Sequence, residues 1–201
     1  MIPTLLIALF LSYFVGAIPF GLLFSRMVGK DVRQEGSGNI GATNVNRVLG
    51  KKLGILTLLC DILKGFLPVF VTTFFLVPSA DSAWIIALCG LAAVMGHMFS
   101  VYLGFSGGKG VATALGVFLF FSPQAILLAL LLFIVVVYFS GFVSAGSLAA
   151  AAVIPLLLFM LGSGVEIIFV ALIIAILIWV KHSANIKRLI AGEEKSWKSK
   201  G

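Results

Sequence analysis

The amino-acid sequence predicts an all-α integral membrane protein with seven transmembrane helices, its N-terminus outside and its C-terminus in the cytoplasm. Composition is the first reason, since 61% of the 201 residues are hydrophobic and only 10% are charged, whereas soluble domains contain about 25% charged residues. The second reason is that long apolar runs alternate with short polar segments rich in glycine. The third is that lysine and arginine crowd into the segments that would then face the cytoplasm.

The first apolar run covers residues 3–25, which is long enough to cross a hydrocarbon core of about 30 Å. No basic residue precedes this run, whereas Arg26, Lys30 and Arg33 follow it. A cleaved signal peptide has its basic residues at the opposite end. We therefore expect a retained helix whose C-terminal end is cytoplasmic.

The second and third runs, residues 54–77 and 82–100, predict two helices joined by an outward-facing loop at Pro78. Asp61 and Lys64 are three residues apart in the second run and so share one helical face. Ionisable groups inside a membrane-spanning helix usually face each other or a polar cavity. Two interpretations stay open: a self-neutralising pair, or a pair in which Asp61 orients Lys64 toward the polar segment that precedes the helix.

The last two runs, residues 111–140 and 147–180, are each too long for one span. A helix of 34 residues would be about 50 Å long, and polar turn residues interrupt the runs at 122–124 and 162–164. A cytoplasmic C-terminus requires an odd number of spans, which five and seven both satisfy. Length favours seven.

Residues 36–47, Gly-Ser-Gly-Asn-Ile-Gly-Ala-Thr-Asn-Val-Asn-Arg, form a polar stretch that we call the first glycine segment. Its glycines allow backbone amides to turn toward one concavity, which suits an anion. Arg47 adds a forked cation. The neutral donors of the segment are Ser37, Asn39, Thr43 and Asn44. The alternative is a plain loop between two helices.

Residues 104–110, Gly-Phe-Ser-Gly-Gly-Lys-Gly, form the second glycine segment. Its spacing differs from that of a nucleotide P-loop, and Gly110 stands where that motif needs Ser or Thr, which argues against ATP. Gly107, Gly108 and Gly110 expose amides before a predicted helix, where the helix dipole favours an anion, and Lys109 adds a positive charge. The alternative is a glycine turn with one topology-determining lysine.

The last run ends in residues 182–193, which we call the C-terminal motif. His182 and Asn185 are three residues apart and share a face where the helix leaves the membrane. Ser147, at the start of the sixth predicted helix, is a weaker candidate for the same site. A histidine in this position is otherwise a solvated group or one that caps a backbone carbonyl.

Other classes of site are not indicated. Cys60 and Cys89 lie inside apolar runs, which predicts no disulfide and no metal site. The net charge of +7 reflects the sidedness of a membrane protein and does not indicate nucleic acid.

Three stretches, in this order, resemble the three motifs of the acyl-phosphate:glycerol-3-phosphate acyltransferases. They are residues 36–44 with Arg47, residues 107–113, and His182 with Asn185 and Glu193. Asp61 with Lys64 and Gly65, and the stretch 96–99, are also similar to that family. The resemblance extends from the first helix to Glu193. It implies a multi-pass bacterial inner-membrane enzyme, with one domain over residues 1–193 and a basic cytoplasmic tail over 194–201.

The implied reaction transfers a fatty acyl group from acyl phosphate to the sn-1 hydroxyl of glycerol 3-phosphate. The products are 1-acylglycerol 3-phosphate (lysophosphatidic acid) and phosphate, in the first step of phospholipid synthesis. Acyl phosphate is already activated, so we expect neither a cofactor nor a covalent enzyme intermediate. In addition, neither His97 nor His182 begins the His-x4-Asp pattern of acyltransferases that use coenzyme A, since Tyr102 and Lys187 stand at the acidic position.

The resemblance also implies roles for individual residues. Gly107, Gly108 and Gly110 would bind glycerol 3-phosphate, while Ser37 and Arg47 would be needed for turnover. We expect Arg47 and Lys109 to stabilise the leaving phosphate, and Ser37 and Asn185 to act as neutral donors. His182 would position the acceptor hydroxyl or take its proton, with the substrate phosphate as the alternative base. The remaining expected contributors are Asn39, Thr43, Asn44, Lys64 and Ser147 in binding, and Asp61 and Glu193 in structure, with Glu193 pairing with a basic neighbour such as Arg188.

The expected partners are acyl phosphate, glycerol 3-phosphate and membrane lipid, with a transient contact to the enzyme that makes the acyl phosphate. A rival function is a transporter of anions or phosphate esters, and a third is a membrane subunit whose basic groups bind a partner protein. Transporters often contain internal repeats and place their sites near the midplane. This sequence has no repeat, and its polar segments lie at helix ends, so the enzyme is favoured.

Overall fold

The computed structural model describes residues 2–75 and 82–197, and the side chains of residues 5–74 and 83–197. The predicted outward loop at Pro78 lies outside these residues. Within them, the regular structure is helical. The α-helices are α1 (Ile2–Ala17), α2 (Phe20–Met27), α3 (Ala42–Leu49), α4 (Lys51–Phe75), α5 (Ser82–Met98), α6 (Val111–Phe121), α7 (Pro123–Ser140), α8 (Val143–Met160), α9 (Val165–Lys181) and α10 (Ser183–Ala191), and a 3-10 turn covers Val101–Leu103.

The chain forms two compact units, which we call the N-terminal unit (Met1–Phe120) and the C-terminal unit (Phe121–Gly201). The first and second glycine segments belong to the N-terminal unit, and the C-terminal motif belongs to the C-terminal unit. That residues 1–193 form a single domain stays a prediction, which this division into units does not test.

In the N-terminal unit α1 and α5 approach each other closely through glycine. A Cβ atom added at Gly16 would collide with the carbonyl oxygen of Ala93, and one added at Gly96 would collide with that of Tyr13. Small residues at such contacts let helix backbones come together, which is a common way of packing helices in membranes.

The same kind of contact joins α4 to α6. A Cβ atom at Gly65 would meet the carbonyl oxygen of Thr113, and one at Gly116 would meet that of Ile62. These contacts hold the first turns of α6 against α4. They therefore fix the helix that begins directly after the second glycine segment.

The first apolar run, predicted as one helix, is broken into α1 and α2 at Ile18 and Pro19. Proline has no amide hydrogen, and the residue before it is disfavoured in the α region, so the break has a local cause. The carbonyl oxygen of Ile18 accepts a hydrogen bond of 2.7 Å from Lys64 Nζ.

The C-terminal unit contains the helix breaks that the sequence predicts at residues 122–124 and 162–164. Ser122 caps α7, because its hydroxyl accepts a hydrogen bond from the Ala125 amide at 3.3 Å, and α8 and α9 are separate helices. The axes of α9 and α10 differ by 56°. The bend lies at His182.

Five helical segments of the described chain are long and apolar enough to cross a membrane, or six if the bent pair α9 and α10 is one span. Helix α6, with 11 residues, is shorter than these. The all-helical membrane class is therefore confirmed, while the seven spans and their orientation stay predictions.

The predicted cytoplasmic tail packs against its unit as far as Trp197. The Ser196 hydroxyl and the Trp197 amide donate to the carbonyl oxygen of Gly141 at 3.1 and 3.0 Å. The Trp197 indole donates to the carbonyl oxygen of Val137 at 3.3 Å. The Val137 carbonyl oxygen also accepts from the Gly141 amide at 2.8 Å, so the tail adds its donors to the capped end of α7. Residues 194–197 are thus part of the folded unit and not a free tail.

Candidate active site

The first glycine segment rests on a small apolar core. Leu22, Val32, Ile40 and Val45 are buried together in this core. They come from α2, from the loop after it, from the segment itself and from α3. This core therefore anchors the backbone of the segment, although most of its polar side chains are exposed.

Asn44 holds the loop that surrounds it. Its Oδ1 atom accepts a hydrogen bond of 2.8 Å from the Ser37 amide. Its Nδ2 atom donates to three carbonyl oxygens at 2.9–3.1 Å, those of Val32, Glu35 and Asn39. The side chain is buried and its hydrogen-bonding groups are occupied inside the loop. This is a loop-supporting position, unlike the substrate-binding position that the sequence suggested for Asn44.

Glycine is required beside Asn44. Gly36 has φ +66° and Gly38 has φ +70°, a conformation that other residues rarely adopt. A Cβ atom at Gly36 would also collide with Asn44 Oδ1. The two glycines therefore let the chain wrap around the asparagine amide.

The outer face of the segment carries the candidate anion-binding groups. Thr43 and Arg47 are four residues apart on α3 and both are exposed, so they share one helical face. Ser37 is exposed as well. The Asn39 side chain is half-buried, and its Oδ1 atom accepts a hydrogen bond of 2.8 Å from the Gly41 amide just before α3. One predicted donor, Asn39, thus also shapes the start of the helix.

The second glycine segment is tied to the end of α5. The amides of Gly107 and Gly108 donate to the carbonyl oxygens of Met98 and His97 at 3.1 and 3.0 Å. Gly108 lies against the His97 ring so closely that a Cβ atom would collide with Nε2. Helix α5 therefore sets the position of the segment, and two of its predicted binding glycines have a packing reason as well.

Helix α6 begins where the second glycine segment ends. Lys109 is half-buried, Gly110 has φ +81°, and the helix starts at Val111. The first amides of a helix have no carbonyl partner within it, and the helix dipole adds positive potential there. A lysine and a glycine before a helix N-terminus offer the positive potential and amide donors that suit an anion such as phosphate.

Thr113 lies in the first turn of α6 and is fully buried. Its hydroxyl has no hydrogen-bond partner among the described residues, while its methyl group lies on the side of Gly65. A buried hydroxyl without a partner is costly, and a bound ligand is one way to satisfy it. Thr113 is the last residue of the 107–113 stretch that resembles a family motif, and its unpartnered hydroxyl makes it a further candidate for the anion site.

Asp61, Lys64 and His97 form a buried ionic cluster beneath this site. Lys64 Nζ lies 2.8 Å from Asp61 Oδ1, and His97 Nδ1 lies 3.7 Å from the same oxygen. All three side chains are at most 4% exposed. Lys64 bonds to Ile18 at the break before α2 and not to the first glycine segment. Of the two sequence interpretations, the contacts of Lys64 favour the self-neutralising pair, and its expected part in substrate binding stays a prediction.

His182 occupies the bend between α9 and α10. Its Nδ1 atom lies 2.8 Å from the carbonyl oxygen of Ile178. A carbonyl oxygen only accepts hydrogen bonds, so Nδ1 carries the proton. In the neutral ring Nε2 is then the nitrogen that accepts a hydrogen bond or a proton. This tautomer is the one that a general base at Nε2 requires.

Asn185, the other polar residue of the C-terminal motif, is buried and bonded to Glu194. Its Nδ2 atom donates to Glu194 Oε1 at 2.6 Å. The Ser144 hydroxyl donates to the same oxygen at 2.8 Å. Arg188 Nε donates to Glu194 Oε2 at 2.7 Å. One carboxylate therefore connects α8, α10 and the segment after α10.

The acidic partner of Arg188 is thus Glu194, where the sequence suggested Glu193. Glu193 is exposed, and its amide donates to the Arg188 carbonyl oxygen at 2.8 Å as the helix ends. Gly192, with φ +73°, turns the chain so that the second glutamate faces inward. Adjacent glutamates look alike in the sequence, and only the geometry of this turn separates them.

The environment of Glu194 also sets its protonation. Partial burial raises the pKa of Glu194, but the hydrogen bonds from Asn185, Arg188 and Ser144 outweigh this effect and hold the pKa below its ordinary value. The carboxylate is therefore charged at neutral pH.

Ser147 lies in the first turns of α8 and is buried. Its hydroxyl donates to the carbonyl oxygen of Val143, one turn earlier, at 2.9 Å. The oxygen lone pairs stay available as acceptors.

Within residues 2–75 and 82–197, no group of three or more His, Cys, Asp or Glu side chains is arranged to hold a metal ion.

Comparisons with known proteins agree on one family. Residues 6–192 match the family model described as glycerol-3-phosphate acyltransferase. The glycerol-3-phosphate acyltransferase of Desulfotalea psychrophila is 60% identical over 190 residues, which cover 94% of this chain and 96% of that protein. The Aquifex aeolicus protein of the same name is 43% identical over 190 residues, which cover 93% and 97%.

Two crystal structures of PlsY, described as an integral membrane glycerol 3-phosphate acyltransferase, resemble this chain. The glycerol 3-phosphate form has a TM-score of 0.89 and 41% identity, and covers 96% of this chain and 95% of that one. The lysophosphatidic acid form has a TM-score of 0.87 and 41% identity, with coverage of 96% and 94%. The chain therefore belongs to the glycerol-3-phosphate acyltransferase family of integral membrane enzymes.

Proposed function

We propose that this enzyme transfers a fatty acyl group from acyl phosphate to the sn-1 hydroxyl of glycerol 3-phosphate. The products are 1-acylglycerol 3-phosphate and phosphate. The observation that carries the proposal is the start of α6, where Lys109, a helix N-terminus and the buried Thr113 hydroxyl offer donors to a phosphate group. The solved relatives support it, since their two forms are named for glycerol 3-phosphate and lysophosphatidic acid.

Both substrates carry phosphate, so the site needs more than one cationic group. Arg47, exposed on α3 next to Thr43, supplies a guanidinium that pairs with phosphate through two parallel hydrogen bonds. Lys109 supplies a point charge at the helix N-terminus. We assign both to holding phosphate and to stabilising negative charge on the leaving phosphate, with Ser37 as a neutral donor.

The chemical step needs a base for the acceptor hydroxyl. The sn-1 oxygen attacks the acyl carbon, the bond from that carbon to the phosphate oxygen breaks, and the electron pair leaves with phosphate. The hydroxyl proton passes to His182 Nε2, which is the basic nitrogen of the neutral ring when Nδ1 donates to the Ile178 carbonyl oxygen. Such a base contributes roughly 100- to 10,000-fold to the rate.

Asn185 assists this step as a neutral donor whose orientation Glu194 fixes. The carboxylate takes one amide hydrogen of Asn185 at 2.6 Å, so the amide has one orientation and its second hydrogen is directed elsewhere. The mixed anhydride is already activated and requires no covalent enzyme intermediate. The absence of a His-x4-Asp pattern at His97 and His182 supports acyl phosphate over coenzyme A as the donor.

The proposed location is the inner membrane, with the active site on the cytoplasmic side. The support comes from the sequence, because Arg26, Lys30 and Arg33 directly follow the first span. There the site has access to soluble glycerol 3-phosphate and to the enzyme that makes the acyl phosphate. The reaction is then the first step of phospholipid synthesis.

The test is phosphate release by purified protein in detergent or lipid mesophase, with glycerol 3-phosphate and palmitoyl phosphate, and lipid product measured by mass spectrometry. We expect release that depends on both substrates and no product from palmitoyl-coenzyme A. Arg47→Ala and Lys109→Ala should lose activity at least 100-fold, whereas the exposed neighbour Lys52→Ala should retain it. Product from the coenzyme-A donor, or full activity in Lys109→Ala, would overturn the proposal.

A further inference from the structure

A hollow with polar and apolar lining lies in the N-terminal unit, beside the break between α1 and α2. It has a volume of about 380 Å³, which is within the range of roughly 300–1,000 Å³ for small-molecule pockets. The helix break at Ile18 and Pro19 forms one side of it, and the 3-10 turn with Tyr102 and Leu103 forms another. None of the roles assigned above uses this hollow.

One end of the hollow carries two guanidinium groups. Arg26 in the last turn of α2 and Arg33 in the following loop both line it. Asp31 binds Arg33 through Nε at 2.9 Å and through Nη2 at 2.5 Å. Arginine has donors on three nitrogens, so the Asp31 pair fixes the Arg33 side chain and still leaves Nη1 for another acceptor. Arg26 has no ion-pair partner among the described residues.

The charge at this end is defined by three groups. The hydrogen bonds from Arg33 lower the pKa of Asp31 to about 2, and Arg26 contributes to this shift. Asp31 is therefore charged at neutral pH, and two arginines with one aspartate leave one positive charge. A group with one negative charge and several acceptor oxygens complements that end, and a phosphodiester is such a group.

The other end of the hollow is apolar and continues along α1. Ile18, Leu22 and Leu23 line the hollow itself. From its rim, the Tyr102 ring contacts Phe14 at 6.4 Å between centroids, and Phe14 contacts Phe10 at 6.3 Å. Phe10 and Phe14 are 61% and 40% exposed. An apolar strip therefore leads from the hollow along the part of α1 that lies in a membrane span.

We propose that this hollow binds an anionic phospholipid of the surrounding membrane. The phosphodiester contacts Arg26 and Arg33, and an acyl chain follows Leu23, Tyr102 and Phe14 along α1. Arginine next to tyrosine at the end of a transmembrane helix is suited to the headgroup region of a bilayer. The proposal concerns a resident lipid and does not depend on the proposed acyl transfer.

The test uses the full chain, purified in detergent and stripped of lipid, with native mass spectrometry to count bound lipid. Phosphatidylglycerol is compared with phosphatidylcholine, whose zwitterionic headgroup adds a choline cation that the arginines repel. We expect phosphatidylglycerol to bind more tightly to the wild type, and Arg26→Gln to weaken its binding roughly tenfold or more, as for the loss of a charge-assisted hydrogen bond. Lys52→Gln removes an exposed positive charge from α4 and should leave the affinity unchanged.

Two further experiments test whether the hollow binds the whole lipid, as opposed to a free phosphate group or any anion attracted by positive charge. Leu23→Gln keeps both arginines but makes the floor polar, so it should also weaken phosphatidylglycerol binding. Soluble glycerophosphoglycerol, the headgroup alone, should not displace the lipid. Equal binding of the two lipids, an equal loss in Lys52→Gln, or displacement by the soluble headgroup would overturn the proposal. Thermal unfolding of each variant verifies that it is folded, and Arg26 and Leu23 are exposed enough for the substitutions to be accommodated.

Discussion

The amide of Asn185 donates a hydrogen bond of 2.6 Å to the carboxylate of Glu194. The bond joins a residue of the C-terminal motif to the segment after α10. Because Ser144 and Arg188 bind the same carboxylate, α8, α10 and this segment are held in one network. The residues after α10 are thereby tied to the C-terminal motif.

Glu194→Ala removes the acceptor of these three donors. We expect the free energy of unfolding to fall by about 1–3 kcal/mol, since buried donors lose their partner, and kcat to fall about tenfold because Asn185 is no longer oriented. Glu193→Ala, the matched control, removes an exposed carboxylate and should change both by little. Steady-state kinetics and thermal unfolding measure the two effects. Equal effects at the two glutamates would contradict the network.

The same carboxylate makes the packing of residues 194–197 sensitive to acid. The folded-state pKa of Glu194 lies below the ordinary value of 4.5. Its stabilising contribution is therefore present above pH 4.5 and is lost as the pH falls through the lower folded-state value. Hydrogen exchange of the Trp197 amide should accelerate over that range, relative to its intrinsic exchange rate. In Glu194→Gln the acceleration should disappear, and its persistence there would contradict this assignment.

Thr113→Val separates ligand binding from stability. The variant keeps the shape of the side chain and breaks no hydrogen bond among the described residues. We expect the free energy of unfolding to stay within about 0.5 kcal/mol of the wild type or to rise. The KM for glycerol 3-phosphate should increase about tenfold, because the phosphate loses one donor. An unchanged KM would remove Thr113 from the site.

Lys64→Met tests the buried ionic cluster. The substitution leaves Asp61 without its lysine inside the membrane-spanning part of α4, and we expect a loss of about 3–5 kcal/mol in stability. The double variant Asp61→Leu with Lys64→Met removes both charges and should recover much of that loss. Thermal unfolding in one detergent compares the two. A double variant no more stable than Lys64→Met would show that the lysine acts without its aspartate.

Much of the helical pattern could be predicted because it depends on local sequence. The interruptions are Ser-Pro-Gln at residues 122–124 and Gly-Ser-Gly at residues 162–164, and one helix ends before each of them. The break at Pro19 carries a local signal as well, but it has no polar neighbour, so hydropathy made residues 3–25 look continuous. Hydropathy therefore predicts the helix breaks that contain polar residues and misses the apolar break at Pro19.

For the candidate site, the sequence predicts which polar residues take part but not which of them hydrogen-bond to each other. Asn44 and Asn39 carry the same amide, yet Asn44 is buried inside the loop, because the positive-φ glycines at 36 and 38 turn the backbone around it. Glu194 was missed because its partners Ser144 and Arg188 come from different helices. Which polar groups satisfy each other depends on tertiary packing, and no spacing in the sequence encodes it.

The most direct measurement of the proposed reaction follows an oxygen isotope. Glycerol 3-phosphate labelled with ¹⁸O in the sn-1 hydroxyl is incubated with palmitoyl phosphate and the enzyme, and both products are analysed by mass spectrometry. Attack of the hydroxyl on the acyl carbon predicts that the label stays in the ester of 1-acylglycerol 3-phosphate and that the released phosphate is unlabelled. An unlabelled ester, or phosphate release without a lipid product, would contradict acyl transfer to glycerol 3-phosphate.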